Sequence, residues 1–185
     1  MVRLILVALL LASPGFAIPV LAQDDAAAAR AAAGCGPQQI NFEVKADKKQ
    51  HPAPQAEAGQ GLVYIFADVP GTAYGGFAAR TVTTRVGLDG TWVGANNNHT
   101  YFFFAVSPGD HRLCTNWQSS LAIRSKVAQA VTLAAEAGKV YYFRTRLVFP
   151  EHEGVIMKLE PLDPAEGQLL IAASSLSTAT VQPKK

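Results

Sequence analysis

Apolar and polar positions alternate with a period of two residues over many short segments of the chain. The clearest case is residues 81–88, where Val82, Val86 and Leu88 lie on one face and Thr83 and Arg85 on the other. This period is typical of β-strands. Similar patterns or compact apolar runs predict strands at residues 40–45, 62–67, 91–93, 101–106, 112–118, 127–134, 140–149 and 155–159. The chain therefore contains eight or nine short strands.

Turn chemistry separates these strands. Asp89-Gly90 supplies the two positive-φ residues of a tight hairpin, and Pro108-Gly109 suits a second turn. Residues 96–98 and 136–139 indicate two more turns. Long crossover helices are missing from the pattern, which favours antiparallel pairing. We predict a mainly β fold, an antiparallel two-sheet β-sandwich of the Ig-like, Greek-key type.

The C-terminal region carries the sequence of one short helix. Asp163 suits the N-cap, Pro164 the first helical position, and Glu166 the third position after the cap. The pattern places Leu169, Leu170 and Ala173 on the inner face and ends the helix near residues 174–175. Residues 177–185 are expected to form a flexible tail.

The N-terminus has the features of an export signal. Arg3 precedes an unbroken apolar run, and Val20-Leu21-Ala22 offers a cleavage site. Residues 15–17 offer a second cleavage site, and an uncleaved membrane anchor is the alternative interpretation. We predict a signal peptide over 1–22, an alanine-rich spacer over 23–34, and a β-sandwich domain over 35–176.

Two cysteines remain after this cleavage. An oxidising compartment favours a bridge between Cys35 and Cys114, which would close a loop of about 80 residues. Two free buried thiols are one alternative. Lipidation of Cys35 is another, but Cys35 lies 13 residues beyond Ala22, with charged residues between them. The prediction is a disulfide.

Charge excludes one class of partner. The chain has 16 Lys and Arg residues, 14 Asp and Glu residues and a net charge of +2. Loss of Arg3 with the signal peptide leaves a nearly neutral domain. Nucleic-acid binding needs a dense cationic face. We therefore expect no nucleic-acid partner, and membrane contact only through an uncleaved signal segment.

No catalytic constellation or metal motif stands out. The four histidines, His51, His99, His111 and His152, are not spaced like metal ligands, and most aspartates accompany turns. A nucleophile elbow and a phosphate loop are absent. The Asn98-His99-Thr100 sequence is interpreted as a turn and not as a glycosylation site. We predict no catalytic, metal or cofactor-binding residues. A hydrolase would need an exposed His–Asp–Ser cluster in a cleft.

The aromatic residues raise one further possibility. Tyr101 and Phe103 face one side of their strand and Phe102 and Phe104 the other, so one pair lies outside the sandwich core. The C-terminal helix or the 68–80 loop could cover that pair. Alternatively, an exposed patch could bind a glycan or an envelope protein. The candidate patch comprises Trp92, Tyr74, Phe77, Tyr101, Phe103 and Trp117.

Several short segments resemble a known family. They are Cys35-Gly36-Pro37, residues 41–45, His51-Pro52, residues 61–64, residues 107–111, residues 113–119 and residues 137–143. Together they resemble a secreted bacterial family, the domain of unknown function 2846, over roughly residues 35–180. The resemblance implies a β-sandwich and an envelope location, and it carries no catalytic residues.

These observations favour an exported, non-catalytic β-sandwich protein that acts in binding or structural support in the periplasm or cell envelope. A carbohydrate-binding module with Trp92, Trp117 or Tyr74 as a stacking platform is the alternative. A hydrolase is the third hypothesis. The sequence does not specify the oligomeric state.

Overall fold

A computed structural model describes residues 35–37, 40–68, 82–119, 129–148 and 156–183. The predicted signal peptide (1–22) and spacer (23–34) lie outside these residues. The described part contains one helix, α1 (Pro164–Ala173), and ten strands. The strands are β1 (Ile40–Asp47), β2 (Gly61–Ala67), β3 (Val82–Leu88), β4 (Thr91–Asn97), β5 (Thr100–Val106), β6 (Gly109–Ser119), β7 (Gln129–Ala135), β8 (Val140–Val148), β9 (Ile156–Leu162) and β10 (Ser175–Pro183).

The strands form two sheets. A six-stranded sheet has the order β1-β10-β5-β2-β8-β9, and a four-stranded sheet has the order β4-β3-β6-β7. Most pairs are antiparallel, and the parallel pairs are β10–β5 and β2–β8. The predicted two-sheet, mainly β fold is confirmed, with the addition that its larger sheet is mixed.

Alternation along the central strands builds two apolar layers. Val63 and Ile65 of β2 face the space between the sheets, where they meet Phe102 of β5 and Val86 and Leu113 of the four-stranded sheet. The intervening β2 residues point to the other face of the six-stranded sheet. Burial on both faces explains why β2 is a continuous apolar run.

The second layer is an aromatic cluster covered by the helix. Tyr64, Phe66, Tyr101 and Tyr142 pack there with Ile171 of α1. The Tyr64 and Tyr101 hydroxyls donate hydrogen bonds to the Pro54 and Pro52 carbonyl oxygens at 3.0 and 2.9 Å. The expectation that the C-terminal helix covers the second face of β5 is confirmed, and the chain around residues 52–56 shares this role.

Helix α1 begins as predicted, but its inner face differs. The Asp163 side chain accepts hydrogen bonds from the backbone N–H groups of Ala165 and Glu166. Gly167 and Ile171 are the buried residues, whereas Leu169 is 68% exposed. A Cβ at position 167 would overlap the Tyr142 ring. The helix therefore approaches the sheet through its glycine. Of the predicted inner face, Leu170 packs against the aromatic cluster, whereas Leu169 and Ala173 are exposed, so the prediction is wrong for those two residues.

The predicted flexible tail is also wrong. Residues 175–183 form β10, an interior strand whose pairing register with β1 extends from Ile40↔Pro183 to Asp47↔Leu176. The Ser177 hydroxyl donates to the Ala95 carbonyl oxygen of β4 at 3.1 Å. A chain terminus is ordered when it is tied into a sheet. The domain therefore extends beyond residue 176, to Pro183.

Candidate functional site

The disulfide predicted between Cys35 and Cys114 is present. Both cysteines are buried, each with 4% of its surface exposed. Cys114 lies in β6, opposite Gly87 of β3. The backbone of Cys35 lies directly against Gly87, where a Cβ would overlap it. The bridge thus fastens the first described residues to the outer face of the four-stranded sheet.

Three side chains of that sheet continue the attachment. The Trp92 indole N–H donates to the Pro37 carbonyl oxygen at 2.9 Å, and Arg85 Nη1 donates to the Ile40 carbonyl oxygen at 2.8 Å. The Gln118 amide exchanges two hydrogen bonds with the Phe42 backbone, as a neighbouring strand would. Residues 35–37 and 40–42, here called the N-terminal segment, are therefore held by covalent and polar contacts together.

Arg85 is a buried cation beneath this segment. It is 4% exposed, and its guanidinium carbon lies 4.6 Å from the centre of the Trp92 ring. Burial lowers the pKa of Arg85 from its usual value, because a charged group loses hydration in the interior. Stacking on the indole and the bond to Ile40 stabilise the charge there.

The four described members of the predicted aromatic patch do not lie together. Tyr101 and Trp117 are fully buried, and Phe103 packs beside the helix-covered cluster. Trp92 lies on the outer face of the other sheet, against Gly36. Tyr74 and Phe77 fall outside the described residues. Strand alternation and the position of each strand separate the four described side chains, so Trp92, Tyr101, Phe103 and Trp117 present no common surface.

The structure instead brings together Asp89, Ser107 and His111, none of which the sequence predicts as a site residue. Asp89 follows β3, Ser107 follows β5 and His111 lies in β6. β6 begins at Gly109, so His111 is its third residue. Asp89 lies opposite Arg112, the next residue of β6. The sequence predicts the turns at Asp89-Gly90 and Pro108-Gly109, but it does not predict that they are neighbours. The pairing of β3 with β6 brings them together.

His111 is bonded through both ring nitrogens. Its Nδ1 lies 2.7 Å from Asp89 Oδ2, and its Nε2 lies 2.8 Å from the Ser107 carbonyl oxygen. The Ser107 hydroxyl oxygen is farther from Nε2, at 3.3 Å. A carboxylate and a carbonyl are both acceptors, so the ring must donate at both positions. This geometry selects the imidazolium form.

The electrostatics of the pair agree with this assignment. The hydrogen bond to Asp89 raises the pKa of His111 and outweighs the opposite effect of desolvation. The Arg112 backbone N–H, which donates to Asp89 Oδ1 at 2.8 Å, lowers the pKa of Asp89, and the His111 bond adds to this. Each hydrogen bond favours the charged form of its partner.

Asp89 and His111 line an open cleft of about 450 Å³. The other lining residues are Asp110, Arg112, Ala130, Val131 and Thr132. The hydrolase hypothesis requires a His–Asp–Ser cluster in a cleft; here Asp89 and His111 line the cleft, and Ser107 contacts His111 but is not a lining residue. However, a general base needs a free Nε2 lone pair. In this structure Nε2 faces the Ser107 carbonyl more closely than the hydroxyl.

A separate ion network joins α1 to the six-stranded sheet. Arg144 contacts Glu166 at 3.0 Å, Glu160 at 3.6 Å and Asp68 at 3.9 Å, and Arg146 contacts Asp68 at 3.5 Å. The network contains two guanidinium groups and three carboxylates. Among the described residues, no group of three or more His, Cys, Asp or Glu side chains could hold a metal ion.

A family model for "Protein of unknown function (DUF2846)" matches residues 57–157, more than half of the chain. The chain belongs to the DUF2846 family. The DUF2846 match covers β2 to β8 and the start of β9, so Asp89, Ser107, His111 and Cys114 lie within it. Cys35, β1, α1 and β10 lie outside it.

Comparison with curated proteins and with solved structures found no match. In the described part of this DUF2846 protein, no helix is long and apolar enough to cross a membrane.

Proposed function

We propose that this DUF2846 protein is an exported, non-catalytic module that acts in binding or structural support in the periplasm or cell envelope. The observation that carries the proposal is the Cys35–Cys114 bridge. Disulfides persist in oxidising compartments and are rare where thiols are kept reduced. The apolar run after Arg3 supports the same location.

The position of the bridge supports a role as a tethered domain. Residues that precede Cys35 join the domain at a point fixed to the outer face of the four-stranded sheet. Force applied through the N-terminus would reach β6 through a covalent bond, and not only through the edge strand β1. An envelope protein or a glycan is the proposed class of partner.

Expression of the full chain in a Gram-negative host, followed by fractionation and intact-mass measurement, tests export. The expected product is a periplasmic or envelope form that begins at Gln23 and lacks residues 1–22. A variant that lacks the apolar run should stay in the cytoplasm. Full-length native protein in the cytoplasmic fraction would overturn the proposal.

A serine hydrolase is a second candidate function, because Asp89, His111 and Ser107 lie in hydrogen-bonding order. A fluorophosphonate probe tests it directly. A hydrolase predicts labelling of Ser107 that is lost in Ser107→Ala, whereas the non-catalytic module predicts none. Labelling at Ser107 would replace the first proposal with the second.

A further inference from the structure

The cluster of Asp89, Ser107 and His111 has a conformational consequence beyond the proposed function. It connects the turn after β3 to the turn after β5 through one side chain. Asp89 is itself fixed to β6, because its backbone N–H donates to the Arg112 carbonyl oxygen at 3.0 Å. His111 therefore joins the β5–β6 turn to the turn after β3.

We propose that His111 is a pH-operated clamp in which Ser107 exchanges one hydrogen-bonding group for another. In the protonated state the Nε2–H group donates to the Ser107 carbonyl oxygen. In the neutral state the Ser107 hydroxyl donates to the Nε2 lone pair. The Asp89 bond persists in both states, since the remaining ring proton stays on Nδ1.

The distances support this exchange. The protonated arrangement is the one observed, with the Ser107 carbonyl oxygen 2.8 Å from Nε2 and the hydroxyl oxygen 3.3 Å away. Loss of the proton would set the Nε2 lone pair against the carbonyl oxygen, which is repulsive. The hydroxyl is already close enough to replace the carbonyl after a small movement of the turn.

Among the charged groups near His111, Asp89 has the largest effect on its pKa. Asp110 is the other nearby carboxylate, and no hydrogen bond joins it to His111 within the described part of the chain. Arg112 is the cation that lines the cleft, and the β7 residues lining it, Ala130, Val131 and Thr132, carry no charge. The proposed exchange of hydrogen bonds does not depend on where the protein is located. In an exported protein it would experience the pH outside the cytoplasm.

The test is an NMR titration of the His111 ring in the native chain, with correlations between ring protons and ring nitrogens. The expected low-pH state has protons on both nitrogens, and the expected high-pH state has its proton on Nδ1. The tautomer is decisive, because it is set by the bond that each nitrogen makes. A high-pH ring protonated on Nε2 would overturn the clamp.

Three variants separate the contributions of Asp89, Ser107 and Asp110 to the pH at which His111 titrates. Asp89→Asn should move the His111 midpoint to lower pH, and Ser107→Ala should move it to higher pH, because only the neutral ring needs the hydroxyl. Asp110→Asn is the matched control that removes a nearby charge without a hydrogen bond, and it should cause a smaller downward movement than Asp89→Asn. The ring signals of His99, in the β4–β5 turn, monitor folding. A Ser107→Ala midpoint at or below the native value would contradict the exchange, and this result is independent of export.

Discussion

At the scale of single residues, Gly87 decides how closely the N-terminal segment approaches the four-stranded sheet. The Cys35 backbone occupies the space that a Cβ at position 87 would fill, and Cys114 lies opposite in β6. Gly87 thus permits the bridge to lie flat on the sheet. The absence of a side chain here is a packing requirement and not a backbone requirement, because φ at Gly87 lies outside the left-handed region.

Gly87→Ala should destabilise the protein by about 2–3 kcal/mol, as overpacking of a tight contact does. Denaturant unfolding measures this free energy. Gly59→Ala is the control: position 59 has a positive φ of 81° and open space around it, so strain alone should cost about 1–2 kcal/mol. Native stability of Gly87→Ala would show that the Cys35 contact imposes no packing constraint.

The Asp89–His111 pair should make the free energy of unfolding decrease both at high pH and at low pH. The His111 pKa is raised on folding, so its contribution is complete below the unfolded value of 6.5 and is lost as pH rises through the folded pKa. The Asp89 pKa is lowered, so its contribution is present above 3.8 and is lost as pH falls through the folded pKa. Thermal unfolding of the native chain and His111→Gln across this range measures the effect. A native-minus-variant difference that does not decrease above pH 6.5 would contradict it.

At the scale of elements, the most consequential strand is β10. It lies between β1 and β5, pairs along the full length of β1, and pairs with β5 over two residue positions. Without it, β1 would lose its strand partner in the sheet. The helix that precedes β10 would also lose the strand that continues from its C-cap residue, Ser174.

Truncation after Ser174 should therefore abolish cooperative unfolding or yield insoluble protein, because it removes an interior strand and leaves unpaired edges. Truncation after Pro183, which removes only Lys184 and Lys185, is the matched control and should leave the unfolding midpoint unchanged. Circular dichroism during heating compares the two chains. A native midpoint after the longer truncation would mean that residues 175–183 do not belong to the sheet.

The elements that could be predicted are those specified by local sequence. Alternation located nine strands, Asp89-Gly90 marked its turn, and Asp163 marked the start of α1. The strand at 175–183 was missed because its place depends on pairing with β1, more than a hundred residues away. The His111 cluster was missed for the same reason, since Asp89 and His111 meet only through the register of β3 with β6.

At the scale of the whole molecule, the structure is a sandwich with a cover on each outer face. Helix α1 and the chain near residues 52–56 cover the six-stranded sheet, and the N-terminal segment crosses the four-stranded sheet. The family match contains the core strands, while both covers use residues outside it. The disulfide is the covalent link between the matched region and the cover on the four-stranded sheet.

Removing this link should weaken the whole domain. The Cys35→Ala/Cys114→Ala double variant should lose about 2–4 kcal/mol of stability, since cross-linking restricts the unfolded chain. Native protein and the double variant are compared by denaturant unfolding with and without reductant. Reductant should lower the stability of the native chain toward that of the double variant and leave the variant unchanged.

The most direct test of an exported, disulfide-fastened sandwich is a thiol count on protein recovered from the envelope fraction. The protein is unfolded in denaturant with an alkylating agent, with or without prior reduction, and its mass is measured. We predict no alkylated cysteine without reductant and two, Cys35 and Cys114, after reduction. Alkylation of either cysteine before reduction would contradict the account.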